Sequence, residues 1–345
     1  MLQNVLTEYG INKAACIIQP FGTGLINTTW KVNTANEAYI LQRINSNIFT
    51  QPQNIAANIQ SIASYLSENY PAYLFVAPIP TKKGDTIVFI NEEGYCRLFP
   101  FIKNSHTVDV AVNPQQAYEA AKQFGAFTKK LASFPAQNLK TTLPDFHNLT
   151  LRYQQFELAL NKGNTERIQQ SINEIKQLKS NAGIVAEFEK IKNDSQFKIR
   201  VTHHDTKISN VLFDENNKGL CVIDMDTVMP GYFISDVGDM IRTYVSPVNE
   251  EEKELHRIDI RSDYLKAVQE GYLSEMKDEL TETEKKYFIY SGKFMIYMQA
   301  LRFLTDYFNN DIYYGAKYEG HNFNRAKNQL LLLQTLQKFE NGLIK

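Results

Sequence analysis

The residues best suited to chemistry lie between positions 203 and 226. His203, Asp205 and Asn210 fall in VTHHDTKISNVLFD, and Asp224 and Asp226 follow in CVIDMDTV. A phosphoryl-transfer site needs a carboxylate to accept a hydroxyl proton. It also needs an amide or carboxylate oxygen on magnesium and a further carboxylate to hold the metal between phosphates. Asp205, Asn210 and Asp224 offer those groups in that order. The segments VLFD and LCVID read as strands and ENNKG as their turn, so a hairpin would bring Asp224 near Asn210. Lys207, two residues past Asp205, could lend positive charge to the transferring group. A single Asp or Asn is ordinary in a turn. The ordered set is what points to chemistry.

Two other stretches carry weaker signals. In FGTGLINTTWKV (21–32), Gly22 and Gly24 would let the backbone approach phosphates, with TTWKV as the return strand. It is no Walker loop, because GxxxxGK[ST] is absent. In ALRFLTDYFNNDIYYG (300–315), Arg302 and Asp306 stand four apart and could pair along a helix surface, with Phe303, Tyr307 and Phe308 turned to a core. The stripe Leu330 to Leu333 with Leu336 reads as packing. His106, His147, His256 and His321 have no partners at metal-ligand spacing and read as surface or satisfied structural groups.

The elements that must position these residues differ between the two ends of the chain. Up to about residue 103, AYILQRI, DTIVFI (85–90) and GYCRLFPFI (94–102) read as strands, with a helix at 54–67 whose Ile55, Ile59, Ile62 and Leu66 share a face. Beyond residue 104 the texture is helical, from the proline-opened 114–134 to the closing NRAKNQLLLLQTLQKF, interrupted by short strands around the opening motif. This predicts a β-rich unit over 1–103, a larger helical unit over 104–345, and a cleft between them suited to a small molecule. Lys and Arg number 37 against 38 Asp and Glu, a net charge of −1, so no footprint for nucleic acid or an anionic membrane is expected. Cys16, Cys96 and Cys221 are scattered and odd in number, which suggests no disulfide framework. The N-terminal stretch lacks a signal-peptide pattern, and no apolar run approaches the ~20 residues of a membrane span. A cytoplasmic protein is the expectation.

His203-x-Asp205-x4-Asn210 followed by VIDMDTVMPGYFISDVGDMIR (222–242) resembles the aminoglycoside-phosphotransferase-like family of small-molecule kinases. FGTGLINTTWKV, YILQRINSNIF, HHDTKISNVLFD, CVIDMDTVMPG and RFLTDYFNNDIYY…HNFNRAKNQ are similar to its N-acetylhexosamine 1-kinase branch, so the resemblance runs from about residue 20 to 335. It implies an α+β, bilobal protein-kinase-like fold with a small β-rich N-lobe and a larger helical C-lobe. It implies ATP as co-substrate, magnesium with manganese as an alternative, a sugar acceptor, and a monomer or weak homodimer. Asp205 would be the catalytic base and touch the acceptor, with Lys207 beside it. Asn210 and Asp224 would hold the metal and Asp226 support its shell. Gly22, Thr23 and Gly24 would cover the nucleotide phosphates, Phe99 and Phe101 would form the adenine hinge, and Arg302 and Tyr313 would contact the sugar. The chain departs from protein kinases in reading LQR where they place a strand lysine, so Arg43 or Gln42 must do that work. No acid lies between Glu37 and Glu68 to serve as the helix partner. Kinases of choline, homoserine or aminoglycosides, a nucleotide-binding pseudokinase, and a His-Asp phosphohydrolase built on His204-Asp205 are the competing readings.

Overall fold

The computed structural model describes residues 2–22 and 26–343, so Thr23 and Gly24 lie outside the described residues. The chain opens with α1 (Leu2–Glu8), then β1 (Cys16–Pro20), β2 (Thr28–Thr34) and β3 (Ala38–Arg43). After α2 (Pro52–Asn69) come β4 (Val88–Ile90) and β5 (Gly94–Pro100). These strands form one antiparallel sheet in the order β1-β2-β3-β5-β4. Strand alternation decides what each face carries. Val32, Leu41, Cys96 and Leu98 point to one side, where they bury against Val5 and Leu6 of α1. Gln42 and Arg97, opposite each other in the register, point to the other side. The expected strand at 85–90 begins only at Val88, because Thr81 and Asp85 are tied in a turn around Gly84, which has φ +93°.

The helix expected at 54–67 forms, opened by Pro52, and buries Ile55, Ile59, Ile62 and Leu66. That face packs into the larger core rather than into the small core under the sheet. Asn58, on the same buried side, donates Nδ2 to the carbonyls of Lys140 and Val228 and accepts from the Lys140 amide. A helix of the N-terminal region is thereby fastened to the chain just beyond Asp226.

The helical region contains β6 (Ser105–His106), α3 (Pro114–Lys130), α4 (Leu149–Lys162), α5 (Thr165–Gln170), α6 (Ile172–Ser180) and α7 (Gly183–Asn193). Then follow β7 (Arg200–Thr202), β8 (Val211–Asp214), β9 (Gly219–Val222), β10 (Met229–Gly231) and α8 (Phe233–Tyr244). The last elements are α9 (Ser262–Met276), α10 (Glu282–Lys286), α11 (Phe288–Phe308) and α12 (His321–Leu343). Helix α11 is apolar around most of its circumference because it is surrounded, packing against α4, α8 and α12. The hairpin β8–β9 forms as the sequence predicts and gains β6 as a third strand, while β7 pairs with β10. Among the described residues no helix is long and apolar enough to cross a membrane.

Candidate active site

The loop after β7 carries the candidate base, and α8 holds it in shape. Asp236, in the first turn of α8, accepts the amides of His203 (3.0 Å) and His204 (2.7 Å), and Asp239 accepts that of Thr206 (2.9 Å). The Thr206 hydroxyl donates to the Asp236 carbonyl and the buried Tyr244 hydroxyl donates to the Thr206 carbonyl. His204 can therefore sit in the left-handed region, φ +66°, a conformation that needs such surroundings. Burial pushes the Asp236 carboxyl up to about 7.

Both histidines are buried and pack within the fold. His203 is fully buried against the edges of Phe124 and Phe127. Its Nε2 lies 3.0 Å from the Ile223 carbonyl and its Nδ1 faces the Asp205 amide, which assigns the proton to Nε2. It thus bolts the loop to the end of β9. His204 turns the other way and meets His147, Nδ1 to Nδ1 at 3.2 Å, a pairing that chain spacing did not announce. Burial lowers both His203 and His204, the latter to about 4. A Cβ on Gly231 would lie 2.5 Å from the His204 ring, so that position requires glycine.

Asp205 is gripped by its neighbours. Lys207 Nζ is 2.9 Å from Oδ2, and Asn210 Nδ2 donates to the same oxygen at 3.1 Å and to the Asp205 carbonyl at 2.9 Å. Burial opposes ionisation, yet Lys207 outweighs it and holds the carboxyl below its ordinary value. Lys207 is raised in turn: burial works against its charge, and Asp205 and Asp224 overcome it. The hairpin register places Asp224 as expected, with the Ile223 amide donating to the Asn210 carbonyl at 2.8 Å. Asp224 has φ +64°, and among the described residues its carboxylate makes no hydrogen bond. Burial, then the charges of Asp226 and Asp205, push it up to about 7. A carboxylate with no donor, crowded by others and beside the uncommitted amide oxygen of Asn210, is a donor set that fits a hard divalent cation. No three His, Cys, Asp or Glu side chains converge as a ligand cluster among the described residues, so such a cation would rest on Asp224 and Asn210.

Asp226 is differently engaged from the expectation of a metal-shell carboxylate. One oxygen lies 2.5 Å from Arg97 NH2, and the other accepts from Asn27 Nδ2 at 2.7 Å. Arg97 also donates from Nε and NH2 to Gln42 Oε1, at 3.0 and 2.6 Å. Of the two residues expected to replace the strand lysine, Gln42 therefore faces this cluster. Arg43 stands on the opposite face, above Trp30 and 3.8 Å from Glu93. Arg97 gave no signal in the sequence beyond a lone charge in an apolar strand. Phe21, next to Gly22 (φ +78°), meets Phe101 edge-on at 6.1 Å, and Lys31 sits 3.6 Å over the Phe101 ring. Phe99 lies under the Arg97 guanidinium.

Arg302 and Tyr313 come together on the far side, with NH2 3.4 Å from the phenol oxygen. The expected surface pair of Arg302 with Asp306 does not form. Asp306 is buried and accepts the amides of Tyr313 and Tyr314 and the Asn322 side chain, so it shapes the turn that presents Tyr313. The expected aromatic core does form, with Phe303, Tyr307 and Phe308 all buried. Arg302 instead faces the rings of Phe146, Tyr313 and Tyr314 at 5.3–5.7 Å. Phe146 stacks on His147, so the contact chain Arg302–Phe146–His147–His204 leads back to the residue beside Asp205. Among the described residues Arg302 has no carboxylate partner. Burial, and then Arg302 itself, hold the nearby Arg152 below its ordinary value.

Comparison with known proteins agrees with this architecture. The profile of the phosphotransferase enzyme family matches residues 17–272. The chain belongs to that family. Among solved structures, it is similar to a microcompartment-associated aminopropanol kinase (13% identity, TM-score 0.69, covering 99% of this chain and 97% of that one). It is also similar to a spectinomycin phosphotransferase in complex with ADP and spectinomycin (14%, 0.60, 98% of each chain). A choline kinase from Cryptosporidium parvum matches at 16% identity and TM-score 0.54, over 96% of this chain and 92% of that one. At these identities the likeness is one of fold, and the fold is the protein-kinase-like arrangement of an N-terminal β-sheet region and a helical C-terminal region.

Proposed function

We propose that this phosphotransferase is an ATP-dependent kinase of a small neutral acceptor, a sugar hydroxyl, with the anomeric hydroxyl of an N-acetylhexosamine fitting best. The nucleotide would enter beneath the sheet, between the Gly22 turn and the Phe99–Phe101 strand end. Asp205 accepts the acceptor's proton at its carboxylate, and Lys207 and Asn210 fix that carboxylate's direction. With Lys207 on Oδ2, the other oxygen is the one left to take the hydroxyl. Asp224 and the Asn210 amide oxygen would hold magnesium or manganese, whose charge stabilises the phosphate oxygens of the nucleotide.

The observation that carries the acceptor assignment is Arg302 without a carboxylate, paired with the Tyr313 phenol and with a second guanidinium, Arg152, nearby. A choline, an amino alcohol or an aminoglycoside brings an ammonium, which two guanidiniums repel and which carboxylates or aromatic faces without them would attract. A guanidinium fork and a phenol match the hydroxyl and carbonyl oxygens of an N-acetylated sugar. The test is ATP-dependent ADP release across a panel of hexoses, N-acetylhexosamines, choline, homoserine and aminoglycosides. An N-acetylhexosamine should be turned over fastest. Arg302→Ala should raise the KM for the sugar far more than that for ATP, because the sugar oxygens it would bind lose their donor. Tyr313→Phe should cost less, about 0.5–1.5 kcal/mol for one neutral hydrogen bond. Faster turnover of an amine acceptor would overturn the sugar assignment, and a rise confined to the ATP KM would move Arg302 to the nucleotide side.

A further inference from the structure

Arg97 stands on β5 opposite Gln42, with 3% of its side chain exposed, and it reaches out of the sheet to an equally buried Asp226. Gln42 Oε1 takes two of its N–H groups. Asn27, at the entry to β2, holds the second Asp226 oxygen, and its own Oδ1 accepts the Asn45 amide at 3.0 Å. Sheet strands and the turn after β3 thus converge on one carboxylate of the helical region. That carboxylate is two residues from Asp224, in the short 3₁₀ turn Met225–Thr227 that Asp224 opens. Asn58 of α2 fastens the other end of the same segment through the Val228 carbonyl.

A buried ion pair is poor evidence of stabilisation, because desolvation offsets most of the attraction; its better-attested use is to fix one arrangement over others. Arg97 fits that use: its NH2 lies 2.5 Å from Asp226 Oδ1 as an ion pair while its hydrogen bonds go to Gln42, and both its NH1 and that Oδ1 are buried without a hydrogen-bond partner. Protein kinases orient their phosphate-binding lysine by pairing it with a helix glutamate within one lobe. Here α2 carries no acid before Glu68 in its last turn, and the ion pair joins the sheet to the Asp224 loop instead. We infer that Arg97 is a positioning residue for the Asp224 loop, tying the N-terminal sheet to the segment that holds the cation. The inference rests on the ATP-dependent kinase reading.

The test is calorimetric titration of full-length protein with ATP, with and without magnesium, alongside steady-state kinetics and melting curves. The unaltered protein should bind ATP more tightly with magnesium; absence of ATP binding there would sink the kinase reading itself. In Arg97→Gln the magnesium-dependent gain in ATP affinity should fall by about tenfold or more, the usual effect of losing support around a metal ligand. The magnesium concentration for half-maximal rate should rise, and the acceptor KM should stay within about twofold, because Arg97 acts through Asp226 rather than on the acceptor. Arg97→Lys should recover part of the gain. If Arg97→Gln does not fold because Asp226 is stranded, Arg97→Gln/Asp226→Asn removes both charges and is read the same way. A full magnesium-dependent gain in any folded variant lacking the Arg97 charge would overturn the inference. So would failure of both neutral forms to fold together with a wild-type gain in Arg97→Lys.

Discussion

Asp205 is a carboxylate with one oxygen spoken for. Lys207 and Asn210 both approach Oδ2, so the side chain cannot rotate freely and its ionised form is favoured. A base that is ionised at neutral pH and fixed in direction suits proton acceptance from a hydroxyl. Asp205→Asn keeps the shape and removes the proposed proton acceptor. It should lower turnover by roughly 10²–10⁴-fold while leaving ATP binding nearly intact. Single-turnover kinetics and nucleotide titration on the purified variant would check this, and near-normal turnover in a folded variant would remove Asp205 from the reaction. The same scale explains why Gln42 and Arg43 are not equivalent. Adjacent strand residues face opposite sides, and the side shared with Arg97 belongs to Gln42.

At the scale of elements, helix α8 acts as the template on which the loop carrying Asp205 is cast. Its first two turns supply Asp236 and Asp239, whose oxygens take three loop amides. Asparagine at 236 could satisfy only one of its two amides, since its NH₂ would face the other donor. Asp236→Asn should therefore lower stability by roughly 1–3 kcal/mol, the cost of stranding a buried donor. It should also depress turnover even where the protein remains folded, because the backbone that aims Asp205 loosens. Denaturant melts paired with kinetics below the melting temperature would separate the two effects; a variant with unchanged melt and rate would contradict the template role.

The whole molecule is held to this template by charge as well as by packing. Arg242 on α8 binds Asp239 and Glu250, and Arg325 on α12 also pairs with Glu250, with its guanidinium 3.8 Å over the Phe303 ring. The network joins the loop template to the two helices that carry the Arg302 and Tyr313 end of the site. Burial disfavours the Glu250 charge, but Arg242 and Arg325 prevail and hold its carboxyl below the ordinary glutamate value. A depressed carboxylate adds stability above its unfolded value and loses it as pH falls through the folded one. The stability that Glu250 contributes should thus be lost on acidification from about pH 5 downward, and Glu250→Gln should be less stable at pH 7 with a flatter acid limb. Melting temperatures at stepped pH would test it; parallel curves for the two proteins would show that Glu250 carries none of the dependence.

Much of this was legible in the chain itself. The 3.6-residue spacing of Ile55, Ile59, Ile62 and Leu66, the β8–β9 hairpin and the ordered Asp205, Asn210 and Asp224 are local patterns, and local backbone rules act on them directly. The profile match then placed the chain among phosphotransferases. Pairings between distant segments were not legible. His147 with His204, Arg97 with Asp226 and Asp306 with the Tyr313 turn are set by which faces meet when sheet and helices pack. A charged residue in a strand or helix reads as a solvated face until its partner is known. Sequence spacing fixes which side of its own element a residue occupies, and only tertiary packing decides what stands opposite.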